Sequence, residues 1–494
     1  MSVAPEASKP FAPASFPVVA LLLFAAGLLS RWLTRSQLVQ AWDAGNFVLA
    51  LTDFDLDAQQ PHMPGCFWML IAMGRLLLPL VGGDGVKALE LVNALASAAA
   101  LPCGWLLAHR LGGERAAWWM AGLLFSAPLL WFYASQPLSY GVELGWVVAI
   151  ALCAWSVSNG ERQLLLPLAV LMATAGGIRP NTPIFLLPLV LVCCLRGWRR
   201  GLDLWRLLAA VALGLGVLVG WGQAFLTEVG GLGVFWPKLM GWRAVHSQQA
   251  SDHGLFSNAW LLLKTIALTA PFGLALVLVR RHRPARDPWR TRFLGLWLTP
   301  AALYFVLVHF TRMGHATTLL PALLLLLSLW LAGSWSSSPA APWPRDLVWV
   351  VVLQSMLFLL VPGDRFASEL RSYDHDWQLG IRAARGYDPA TTLVIITGRP
   401  NLRAYRLPSI HIPAYDHGDA DFVLDQRDDH IDVIPPIQRV VVLDRGLALP
   451  VPDGVGTQIK ELRPGRMRLL ELTVPPEGLR VGRRRIQTLP TGAP

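Results

Sequence analysis

Eleven apolar runs restrict this chain more than any other feature. They lie near 16–34, 87–108, 115–134, 138–158, 162–176, 181–195, 206–226, 259–280, 291–310, 315–333 and 345–362. About 20 mostly apolar residues are enough to cross a hydrocarbon core. Each run is therefore a candidate span, with 162–176 and 181–195 short. Of the 494 residues 54% are hydrophobic and 15% charged, against about 25% charged in a soluble domain. The expected fold is mainly α, a polytopic membrane protein of about 11 spans with interfacial helices. The net charge of +10 does not point to nucleic acid, because Arg gathers in short loops between apolar runs, where the positive-inside rule accounts for it. Cys66, Cys103, Cys153, Cys193 and Cys194 lack zinc-type spacing and read as small hydrophobes. Residues 1–15 form a Pro/Ala-rich leader, expected to be cytoplasmic, and the run after it reads as a retained signal anchor.

The basic connections "HRLGGER" (109–115), "LRGWRRGLDLWR" (195–206) and "RRHRPARDPWRTR" (280–292) should all face the cytoplasm. Counting crossings then places an outer loop at about 35–86. Within it, Cys66 to Gly82 is apolar but interrupted by Arg75 and Pro79, so it reads as an interfacial or re-entrant helix. The same count brings "GGIRPNT" (176–182), a loop over 227–258 and "HFTRMGH" (309–315) to that outer face. The spans make one module, 16–362. Beyond it, "DHDWQLGIRAARGYD" reads as a helix and "TTLVIIT", "RVVVLD" and "MRLLELTV" as strands. Residues 363–494 are thus expected to form a small extracytoplasmic α/β domain.

Charged residues in such a chain are candidates for function. Asp43 follows the first run and is either a base with a raised pKa or an acid solvated by headgroups. Asp53, Asp55 and Asp57 alternate with Phe54 and Leu56, and leave a divalent metal open without fixing one. "PHMPG" (61–65) is a rigid turn whose His62 could also reach a phosphate or hydroxyl. Arg179 breaks a pair of apolar half-helices, where it could grip a phosphate or snorkel to headgroups. His309, Arg312 and His315 repeat that anomaly, and Lys238 and Arg243 add outer charge. Trp131, Phe132, Tyr133, Tyr140 and Glu143 share a short outer turn. Aromatics are common at interfaces, whereas Glu143 within a span end is not. An anion is the simplest common partner.

Four stretches in series carry a family resemblance over about residues 16–335. They are Asp43-x-x-x-Phe-x-Leu-Ala-x-x-x-Phe-Asp55 with "PHMPG", then "SAPLLWFYASQPLSYGVE", "GGIRPNTPIFLLPL" and "WLTPAALYFVLVHFTRMGH". Together they resemble multi-pass GT-C glycosyltransferases of the dolichyl-phosphate-mannose protein mannosyltransferase-like kind. The resemblance implies transfer of a sugar from a polyprenyl-phosphate donor to a lipid, glycan or protein acceptor at the outer face. It makes Asp43 the general base, puts Arg179, His309 and Arg312 at the donor phosphate, and leaves Asp53, Asp55, His62, Tyr140 and Glu143 for acceptor or sugar contacts. Inversion at the anomeric carbon follows from that arrangement. The expected setting is the membrane, the inner one in a bacterium, with membrane lipids as partners and no certain cofactor. The chain departs from its relatives at Met63 and Cys66, where they read Pro and Tyr, and at Met313-Gly314-His315. A secondary transporter or lipid-linked sugar flippase is the alternative, since broken helices and buried charge serve those too. No internal repeat supports it.

Overall fold

Helix α4 (Gly85–Ser126) and helix α6 (Tyr140–Ser158) form the centre, and their sequences explain why. Small residues let helices approach closely: an added Cβ at Gly104 would meet Leu124, in the second half of α4 beyond its break at Gly113, at 2.5 Å, and one at Gly112 would meet Leu329 at 2.4 Å. Gly145 of α6 lies so near α4 that a Cβ would stand 2.5 Å from the Ala96 carbonyl oxygen. Close backbone approach through small residues is how helices gain contact in a bilayer. The computed structural model describes residues 13–58, 60–250, 254–279, 287–308, 310, 312–333, 345–388, 390–397, 430–433, 437–444, 455–482 and 486–488.

Against α4 pack α1 (Phe16–Thr34), α14 (Leu320–Gly333) and α15 (Arg345–Leu360). Against α6 pack α7 (Leu165–Ala175) and α8 (Asn181–Arg199), with α9 (Leu204–Val229) outside them. The outer helices keep apolar faces uncovered: Leu21, Leu22 and Leu33 on α1, and Trp205 and Val219 on α9, are more than half exposed. Such a belt suits lipid. Five helices among the described residues are long and apolar enough to cross a membrane, six if a bent pair counts as one. The chain is an integral membrane protein.

Several expected spans differ in detail. The candidate at 259–280 is α11 (Gly254–Thr269) and α12 (Pro271–Val279), bent by 89°. Proline at the first position of α12 has no N–H to continue the ladder. The candidate at 115–134 breaks at Ala127, where Pro128 opens α5 (Pro128–Ala134). The connection expected at 109–115 is a turn at Gly113 (φ 80°, ψ −174°), where α4 breaks into two helices that fold back on each other, Trp105 against Trp118 with ring centroids 5.8 Å apart. Residues 227–258, expected as a loop, contain α10 (Leu232–Ala250). Cys66 to Gly82 contains α3 (Trp68–Leu77) and one 3-10 turn, Leu78–Val81. At about 1.5 Å per residue that is roughly 20 Å, short of the ~30 Å hydrocarbon core.

Two arginines serve helix ends. Arg31 donates to the carbonyls of Leu124 (3.2 Å) and Phe125 (2.8 Å) at the C-terminus of α4, carbonyls left without a partner within the helix. Arg75 does the same for α2 (Trp42–Ala50), reaching Ala50 O at 3.1 Å and Leu51 O at 3.0 Å.

The C-terminal domain opens with α16 (Ala367–Ala384), which starts earlier than the sequence suggests. Strands β1 (Thr392–Thr397), β3 (Arg439–Asp444), β5 (Met467–Thr473) and β4 (Thr457–Arg463) form a sheet in that order, with β1 and β3 parallel and the other pairs antiparallel. A second sheet joins β2 (His430–Val433), β6 (Leu479–Gly482) and β7 (Ile486–Thr488). Tyr373, Trp377 and Ile381 of α16 pack on Val441, Leu443, Met467 and Leu469. The opposite side of α16 meets the membrane module. There Asp374 accepts the backbone N–H of Gln37 (2.7 Å) and of Leu38 (3.1 Å).

Burial pushes the Asp374 carboxyl up to about 6, despite those donors. A folded pKa above the unfolded one favours folding when the proton is bound. Its stabilising share is complete below about 4 and is lost as pH rises through about 6. Thermal unfolding of wild type and Asp374→Asn should therefore show the wild-type midpoint falling, relative to the variant, between pH 4.5 and 7. A constant difference would contradict this.

Candidate active site

Three separate breaks in the helical bundle meet around one carboxylate. Asp43 lies in the first turn of α2, after an extended Ala41. Arg312 precedes a 3-10 turn, Met313–Thr318, that follows α13 (Pro288–Leu307). Its Nη1 donates to Asp43 Oδ2 at 2.6 Å. Arg179 sits in the interruption between α7 and α8, where its own N–H still bonds Ala175 O at 2.9 Å. That interruption is held by α3: the N–H of Met69 donates to Gly177 O at 2.9 Å. Gly177 is required there, because a Cβ would stand 2.4 Å from Met69 Cγ.

Arg179 is fixed on two sides. Its Cζ lies 4.6 Å from the centroid of the Tyr140 ring, a cation–π contact. Its Nε is 3.3 Å from Glu143 Oε2. Glu143 is buried, and its other oxygen accepts the hydroxyls of Thr182 and Thr318, both at 2.6 Å. One carboxylate thus ties α6, α8 and the turn after α13 together. The Tyr140 ring packs on Tyr133, centroids 4.8 Å apart, and faces His315 at 6.3 Å. Gly314 belongs against that ring, since a Cβ would meet it at 2.6 Å. The Met-Gly-His sequence at 313–315 therefore has a packing reason.

The Asp43 carboxyl is held below the ordinary carboxylate range. Burial acts to raise it, but the charges of His62, Arg312 and Arg179, in that order, more than offset burial. The raised pKa expected for a base at this position is corrected: nearby cations outweigh the low-dielectric surroundings. Asp43 is ionised at neutral pH.

Asp43, Arg179, Arg312, Tyr140, Glu143 and His62 are therefore brought together. His62 packs between Phe47 and Phe67, each 5.1 Å between centroids with the rings tilted by 43° and 39°. Glu143, expected to meet a sugar or acceptor, is instead buried beneath Arg179 as its counter-ion. Asp53 and Asp55 belong to the turn that precedes "PHMPG". Asp55 accepts the N–H of Asp57 at 2.8 Å and pairs its backbone with Gln60. Asp57 pairs with Lys238 of α10. His309 lies outside the described residues. Among those described, no three His, Cys, Asp or Glu side chains come together to hold a metal ion. Sequence reading passed over Thr182, Thr318 and Arg365. The threonines carry no signal before folding, whereas Arg365 is an arginine just past the last apolar run.

A model of the Alg9-like mannosyltransferase family matches residues 14–227. Among solved structures, ArnT from Cupriavidus metallidurans bound to undecaprenyl phosphate is similar, with TM-score 0.55 and 14% identity, covering 93% of this chain and 98% of that one. The same enzyme in the apo state gives 0.54 at 15% identity, over 92% and 97%. No curated protein matches the chain in sequence. The family model is one of mannosyltransferases over residues 14–227, and the fold is shared with ArnT over most of both chains.

Proposed function

We propose that the protein transfers a sugar from a polyprenyl-phosphate donor to an acceptor hydroxyl at the outer face of the membrane, with inversion. The observation that carries this reading is the contact of Asp43 with Arg312, beside Arg179, where three helix breaks meet. A base and a cationic phosphate clamp are the two parts the reaction needs. The similarity to ArnT bound to undecaprenyl phosphate supports a polyprenyl-phosphate donor.

The ion pair adds a step that the sequence did not suggest. With Arg312 on Asp43, the carboxylate is a weak base and the guanidinium is engaged. Donor phosphate competes for Arg312 and draws it from Asp43. Losing that partner raises the proton affinity of Asp43, so donor binding readies the base. The acceptor hydroxyl then attacks the anomeric carbon, its proton passes to Asp43, and the bond to the phosphate oxygen breaks with its electron pair. Arg312 and Arg179 hold the phosphate that leaves.

Reconstituted protein supplied with radiolabelled polyprenyl-phosphate sugars and candidate hydroxyl acceptors tests the reading. Transfer with inverted anomeric configuration, seen by NMR of the product, is expected. Retained configuration would remove the single-displacement mechanism. Movement of lipid-linked sugar across vesicles without transfer would favour a flippase.

A further inference from the structure

We infer that the C-terminal domain sets the geometry of the active site through α16 and the turn that leads into it, with Arg365 as a positioning residue for the phosphate clamp and Asp374 as one for the base. This rests on the functional reading above. Both contacts are made across the junction of the two domains, and neither touches the reacting groups.

Arg365 stands between α15 and α16. It has φ 70°, and among the described residues no other non-glycine has a positive φ. Side-chain-bearing residues other than Asn and Asp seldom take this region. The conformation lets the backbone N–H of Arg365 bond Glu369 while Nη1 donates to the Tyr133 hydroxyl. Tyr133 packs on Tyr140, and Tyr140 carries Arg179. Arg365 therefore braces the rings that present the phosphate clamp.

Asp374 acts on the segment that carries the base. Its two oxygens take the N–H groups of Gln37 and Leu38, and Gln40 Nε2 lies 3.4 Å from Oδ1. Gln40 also donates to Leu370 O at 3.1 Å, and Gln378 to Gln37 Oε1 at 2.9 Å. The segment so held, 36–40, leads directly into α2 and Asp43. Its far side is fixed too, since Ser36 donates to buried Glu90 at 2.8 Å. The turn that opens α16 and α16 itself thus aim the clamp and the base, joined by the Arg365 N–H on Glu369.

The test uses full-length protein in nanodiscs, with undecaprenyl phosphate as the binding probe and the cognate donor for single-turnover transfer. Arg365→Gly keeps a backbone that accepts positive φ and removes the brace. Loss of one charged hydrogen bond predicts about fivefold weaker binding of undecaprenyl phosphate, with the rate of transfer from bound donor changed less than about twofold. Tyr133→Phe should weaken binding similarly, and the double variant should lose nothing further. Asp374→Asn should do the reverse, slowing transfer from bound donor about tenfold through a displaced base while binding stays within about twofold. If both variants change both quantities alike, the domain merely stabilises the module and the inference falls alone. A wild type that binds no undecaprenyl phosphate overturns the functional reading and this inference with it.

Discussion

Asp43→Asn is expected to slow sugar transfer by about 10²- to 10⁴-fold, the range for a lost general base, while binding of polyprenyl phosphate tightens. The opposite signs follow from the 2.6 Å pair between Asp43 and Arg312. The amide cannot take the acceptor proton, yet it also no longer holds the guanidinium. Both side chains are partly exposed, 19% for Asp43 and 38% for Arg312, so the released interaction is that of a screened pair. Freed from it, Arg312 should bind the donor phosphate about fivefold more tightly, equivalent to ~1 kcal/mol. Transfer by the variant at the wild-type rate would remove Asp43 as base. Weaker binding of undecaprenyl phosphate by the variant would mean that Asp43 serves the donor site directly.

Arg179→Ala should have the largest structural effect of any single change at the site. It leaves Glu143 buried, with only the hydroxyls of Thr182 and Thr318 for partners. Breaking a buried pair from one side costs about 3–5 kcal/mol, enough to unfold many proteins outright. The informative variant is therefore the double one, Arg179→Met with Glu143→Gln, in which neither charge remains. It should recover most of the wild-type unfolding temperature and still fail to bind undecaprenyl phosphate. Recovery of binding along with stability would show that Arg179 is structural and that Arg312 alone serves the phosphate.

Glu143 shows why burial has to be seen before a role is assigned. In sequence it stands out as an acid at the end of an apolar run, the kind of residue that marks a membrane site. In the fold that carboxylate is paired with Arg179 and accepts two threonine hydroxyls. The side chain faces inward because α6 is covered on every side, and three elements distant in sequence supply its partners. Asp55 makes the complementary point. The alternation of Asp53, Asp55 and Asp57 with apolar residues looked like a ligand face, but a short carboxylate two residues before an amide readily folds back on its own turn.

Much of the architecture was already legible. Apolar runs of about 20 residues have few alternatives to a membrane helix, because a backbone in hydrocarbon must satisfy its own hydrogen bonds. The runs at 16–34, 138–158 and 181–195 appear as α1, α6 and α8, with ends within a few residues. Strands at 439–444 and 467–473 were equally plain as short apolar runs between Pro, Gly and Asp. Proline marked the breaks less clearly: Pro128 and Pro271 end a helix, whereas Pro102 and Pro188 lie inside one. Only the neighbours that re-satisfy the freed backbone decide which outcome prevails.

By itself the sequence determined that this chain enters a bilayer, where several of its helices lie, and which polar residues interrupt them. These follow from local hydrophobicity, which acts whatever the rest of the chain does. Tertiary structure alone decided that Asp43 meets Arg312 across more than 200 positions, that Glu143 supports Arg179, and that the C-terminal domain reaches the site through Arg365 and Asp374. Charge pairing depends on distance in space. Nothing in the local pattern of a chain records which break in one helix will face which break in another.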